Sequence, residues 1–124
     1  MLLTASDCAL DVERGPDWLL VTVKSLGSPS ELPNLADRLW ELLERHFTHR
    51  LVVEFERVVA LKRQHLAQLV ELRDRIEEHG GVLRVCGLSE QQQRVLRASR
   101  PESPLPTYRD RVDAVMGGMA RRAR

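Results

Sequence analysis

The sequence predicts an α/β fold, a small mixed β-sheet of about four strands flanked by four helices. Three observations predict it. Short apolar runs rich in β-branched residues alternate with longer stretches whose apolar residues recur every three or four positions. Their order makes successive β-α-β crossovers, which lay helices over a parallel sheet. Aromatic residues are 4% of the chain against 43% hydrophobic overall. The core must therefore be Leu and Val, as suits β-branched strands facing leucine-rich helices.

Each element has its own local cause. Cys8, Leu10 and Val12 alternate weakly, and Arg14-Gly15-Pro16-Asp17 is a turn signal. Trp18-Leu19-Leu20-Val21-Thr22-Val23 follows as a second strand, so the pair reads as an antiparallel hairpin. Residues 27–33 read as a loop. Asn34 can cap the next helix, with Asp37 near the positive end of its dipole. Leu35, Leu39, Leu42 and Leu43 form its stripe, Trp40 and Phe47 lie beside it, and polar and basic residues from His46 to Arg50 end it. Leu51, Val53 and Phe55 share one face of the next strand, and a further apolar run covers 58–61.

From about Gln64 the period is helical again. Leu66, Leu69, Val70, Arg73 and Ile76 lie along one side, widened by Leu72. Glu71, Arg73, Asp74, Arg75, Glu77 and Glu78 form a charge run expected to face solvent, so Arg73 falls in both sets. Gly80-Gly81 stops the helix, Gly80 suiting the left-handed position after the cap. Residues 82–88 are a strand. Ser89 with Gln92 makes a capping box for a short helix carrying Val95 and Leu96. Pro101, Pro104 and Pro106 impose an extended loop. Asp110 can cap a last helix carrying Val112, Val115 and Met116, which Gly117-Gly118 breaks. The expected organisation is one domain over 6–117 and a mobile basic tail over 118–124.

Composition narrows the function. Nineteen Lys and Arg oppose eighteen Asp and Glu, a net charge of +1, which argues against a domain that binds nucleic acid through its overall field. No apolar run approaches the roughly 20 residues needed to cross a bilayer, and Met1-Leu2-Leu3 gives way at once to polar residues. The expectation is a cytoplasmic protein without membrane association. Cys8 and Cys86 then read as reduced, buried thiols.

The search for chemistry finds little. No Gly-x-Gly-x-x-Gly or P-loop follows a strand, so no cofactor is expected. The cysteines form no Cys-x-x-Cys pair, and His46 with His49 lacks a carboxylate or thiolate to complete a metal site. His46, His49 and His79 sit at helix ends beside charged neighbours and read as solvated. Both cysteines lie in strands, where they act as small hydrophobes rather than nucleophiles. No acid–base pair emerges, and the chain does not read as an enzyme.

One cluster stands apart. Arg57, Lys62, Arg63, Gln64 and His65 gather where a strand feeds a helix, the position beyond strand carboxyl ends where open α/β sheets bind ligands and partners. Lys62 and Arg63 oppose the positive dipole there by a few tenths of a kcal/mol each. An unfavourable local choice at a privileged position points to a binding role.

The strand over 51–56, this junction, the helix with Leu66 and Leu69, then residues 79–89 (His-Gly-Gly-Val-Leu-Arg-Val-Cys-Gly-Leu-Ser) followed by Val95-Leu96, together resemble the STAS domain. That family includes anti-sigma factor antagonists and the tails of sulfate transporters. The resemblance covers about residues 6 to 117 and is most specific over 79–89 with Val95-Leu96. It implies a non-enzymatic signalling module binding a protein partner, such as an anti-sigma-type kinase, through residues 57–66. The family's Asp-Ser-Ser-Gly-Leu falls on Lys62, Arg63, Gln64, His65 and Leu66 when aligned on Leu66. No serine is present there, so the family's phosphorylation switch is lost or replaced. A domain that binds a small ligand or anion is the alternative.

Overall fold

The first hairpin sets the edge of the sheet. In this computed structural model, which describes residues 9–26, 34–56, 61–99 and 105–117, β1 (Ala9–Arg14) runs antiparallel to β2 (Leu19–Ser25) across the Gly15-Pro16 turn. Every later strand is parallel to its neighbour. Helix α1 (Leu35–Arg45) leads to β3 (Arg50–Phe55), α2 (Arg63–Glu78) to β4 (Val82–Cys86), α3 (Glu90–Ser99) to β5 (Thr107–Tyr108), and α4 (Arg111–Val115) follows. The sheet order is β1-β2-β3-β4-β5. The protein is α/β, with five strands and four helices among the described residues.

The extra strand is β5, two residues long, emerging from the proline-rich stretch. It has no periodicity of its own. Pairing with β4, Val85 beside Thr107 and Cys86 beside Tyr108, creates it. Arg57, Cys8, the loop over 27–33, residues 58–60, residues 100–104 and the tail over 118–124 lie outside the described residues.

Capping follows the sequence closely. Asn34 Oδ1 accepts from the Asp37 amide at 3.0 Å, and Asp37 Oδ2 accepts from the Asn34 amide at 3.3 Å. Ser89 and Gln92 reciprocate in the same way, at 3.2 and 3.0 Å. Asp110 caps α4 by accepting from the Asp113 amide at 2.8 Å. Gly80 ends α2 with φ +76°.

The alternation of the strands divides the core. Leu19, Val21, Val23, Leu51, Val53, Phe55, Leu83 and Val85 face α1, α2 and α3, whose Leu39, Leu43, Leu69, Ile76 and Leu96 are 1% exposed or less. Trp18, Val52 and Cys86 face the other way, where Ala114 of α4 covers them.

At three places the burial departs from part of the sequence reading. Arg73 is buried at 2% exposure rather than solvent-facing, its Nε donating to Asp74 Oδ1 at 2.9 Å. The stripe position overrode the charge run because the aliphatic stem packs as a hydrophobe would. Phe47 is 93% exposed, because α1 ends at Arg45 and its stripe ends with it. On α4 the apolar residues Val112, Val115 and Met116 are exposed, and Asp113 and Ala114 are buried.

The reason for the last inversion lies in how α4 is tied down. Asp113 Oδ2 accepts from the Arg109 amide at 3.1 Å. Arg84 Nη1 donates to the Ala114 carbonyl at 2.8 Å. Arg111 donates to Glu13 Oε1 at 2.9 Å, Thr22 Oγ1 at 2.9 Å and Glu54 Oε1 at 3.3 Å, spanning β1, β2 and β3. Polar tethers orient a five-residue helix more strongly than its few apolar residues can.

Candidate functional site

The carboxyl ends of the parallel strands carry the junction that the sequence singles out. Strand β3 ends at Phe55, and α2 starts with Lys62 as its N-cap, in extended conformation (φ −94°, ψ 163°). A lysine has no acceptor to cap a helix. His65 supplies the cap from three residues on, its Nδ1 accepting the Lys62 amide proton at 3.0 Å. This fixes Nδ1 as unprotonated. The ring is 3% exposed, so His65 supports the turn from beneath and does not present itself to a partner.

Lys62, Arg63 and Gln64 are exposed side by side on that first turn, which contains no acidic residue. Two cations and the positive end of a 16-residue helix therefore coincide. The structure brings these three residues together at the surface with His65 below them. Arg57 lies outside the described residues.

A cavity of about 1040 Å³ opens beside this turn, at the same ends of β3, β4 and β5. Phe55, Leu61 and Leu88 give it apolar wall. Of the junction, Leu61 lines it, whereas Lys62, Arg63, Gln64 and His65 do not. The start of α3 contributes Ser89, Gln92 and Gln93, and the strand β5 contributes Thr107 and Tyr108. Glu54 and Glu56 on one side and Arg97 and Arg109 on others give it both signs of charge.

The polar wall is held rigidly. Beyond the Ser89–Gln92 box, Gln93 Nε2 donates to the Leu88 carbonyl at 3.1 Å, and Thr107 Oγ1 donates to Gln93 Oε1 at 3.3 Å. Gly87 permits the close approach below. It has φ +84°, and a Cβ there would collide with the Phe55 carbonyl. The sequence shows the Ser89–Gln92 box, but only as a helix start. That it walls a cavity depends on β5, which local sequence does not show.

The Cys86 thiol offers no reactive chemistry to this site. Cys86 is free and fully buried. Burial first, then the charges of Glu54, Asp110 and Asp113, push its pKa up to about 12, opposed by Arg111. It is a thiol, not a thiolate, at neutral pH. Among the described residues no group of three His, Cys, Asp or Glu side chains could hold a metal ion, and no helix is long and apolar enough to cross a membrane.

Comparison with models of known protein families and with curated proteins finds no match.

Proposed function

We propose that this chain is a non-enzymatic, cytoplasmic signalling module of the STAS type. It binds a partner protein, of the anti-sigma-kinase kind, through the start of α2, and it lacks the family's serine switch. The observation that carries this reading is the exposed Lys62-Arg63-Gln64 turn at the carboxyl end of β3, with no acid in the first turn. A helix start normally collects acids. Two cations here cost local stability and favour an acidic partner surface, steering it and setting its orientation.

The test is a pull-down from the source cell with the parent chain and with the Lys62→Glu, Arg63→Glu double variant. The variant folds normally, since both side chains are exposed and their removal relieves the dipole conflict. Its affinity for the captured partner falls at least tenfold, about 1.4 kcal/mol, and binding by the parent weakens with salt. Unchanged affinity in a folded double variant would move the partner surface elsewhere.

The neighbouring cavity favours a second reading, a small-ligand or anion-binding domain. Arg97, Arg109 and the start of α3 would meet an anion there. A thermal-shift screen of the parent chain with nucleotides and simple anions tests it, and a flat response across the screen ends it.

A further inference from the structure

Phe47 breaks two rules at once. It is the non-glycine residue with positive φ among the described residues, at +54°, and its side chain is 93% exposed. Its place explains the dihedral. Helix α1 ends in a Schellman motif, in which the Thr48 amide donates to the Leu43 carbonyl at 3.1 Å and the Phe47 amide to the Glu44 carbonyl at 3.3 Å. The residue between must be left-handed, a position where glycine is free of strain and a bulky ring is not. The motif needs nothing from the ring, and the ring reaches no core. Strain and exposure on one residue point to selection for something outside the fold.

The surroundings say what kind of partner fits. Phe47 stands at the amino end of β3, the opposite end of the sheet from the start of α2. A six-residue strand, roughly 20 Å, separates them. Arg14 Nη1 donates to the His46 carbonyl at 3.0 Å, so a guanidinium sits on the Phe47 turn. Around the turn the chain carries Arg45, His46, His49 and Arg50 against Glu44 and Glu41, the last paired with Arg45 at 3.2 Å, which leaves the Arg14 guanidinium as the cation held on the turn itself. An exposed aromatic on a turn that carries an arginine has the composition of an interface anchor. We infer that Phe47 is the anchor of a second protein-docking surface, and that its partner offers an apolar pocket rimmed by carboxylates. The chain is then an adaptor with two binding ends, and this end does not depend on the reading of α2.

The test separates anchor from scaffold. F47G suits the left-handed position better than the parent residue, so its melting temperature is expected to equal or exceed the parent's. The full chain with photoreactive p-benzoyl-phenylalanine in place of Phe47 is irradiated in the source cell. The same group in place of exposed Glu71 is the control. A protein adduct specific to position 47 is expected. That protein, purified, should bind the parent chain at least tenfold more tightly than F47G, and should bind R14E more weakly than the parent. No specific adduct, equal binding by F47G, or a lowered melting temperature in F47G would overturn the proposal.

Discussion

The two faces of the sheet are held by different forces. On one, α1, α2 and α3 bury a continuous layer of Leu, Val and Ile. On the other, the short α4 buries little beyond Ala114 and relies on arginines. Arg50 lies 4.2 Å over the Trp18 ring, and Arg84 4.8 Å over the same ring and 5.7 Å over Tyr108. Arg111 bonds three strands. Apolar burial is non-directional and scales with area, so the first face tolerates sliding and repacking. Arginine tethers are directional and individually modest, so the second face fixes where α4 sits without adding comparably to stability.

Cutting into each face sharpens that contrast. The largest loss is expected from Leu69→Ala, which empties a site of 0% exposure in the α-helical face. It should cost about 2–5 kcal/mol in denaturant unfolding. A loss under about 1 kcal/mol would mean that this face is loosely packed.

The second face has a pH signature. The Cys86 thiol, raised to about 12 in the fold from a usual 9.0, keeps its proton while the unfolded chain loses it. Stability therefore falls as pH rises above about 9, by up to about 1.4 kcal/mol per pH unit, until the folded thiol titrates. The difference between the parent and Cys86→Ala should carry this slope. Parallel curves between pH 8 and 11 would show that the thiol is not sealed beneath α4.

The smallest effect is expected from Arg111→Ala. Its side chain is 35% exposed and its carboxylate partners are 66% and 32% exposed, so solvent screens the pairs. The cost should be about 1 kcal/mol and should shrink in high salt. Its clearer readout is faster amide exchange in α4 with the strands unchanged. Equal exchange would assign the hold on α4 to Arg84.

The same contrast decides what was legible in the sequence. The hairpin, α1 with its Asn34–Asp37 box, α2 with Gly80, and the Ser89–Gln92 start of α3 follow from period and cap chemistry, which are local. Thin elements held by tethers are not legible. Strand β5 exists because β4 offers it an edge, and α4 turns its valines outward because Arg84 and Arg111 hold its backbone and first residue. At the candidate site, Lys62, Arg63 and Gln64 were found because an N-terminal turn without acids is visible as sequence. His65 reads in the sequence as one more basic residue of the cluster, yet it works as a buried acceptor, which only its geometry shows. The cavity beside it needed β5 and so escaped.

The sheet order carries a consequence for how the chain reaches this state. Each strand pairs with its neighbour in sequence, from β1 to β5 without a reversal. Apart from the β1-β2 hairpin, each pairing closes over a crossover that carries a helix, so its entropic cost is that of a long loop. The β2-α1-β3 and β3-α2-β4 units share β3 and can form in either order around it. Folding is therefore expected to be paced by closure of these parallel crossovers, which form more slowly than the β1-β2 hairpin.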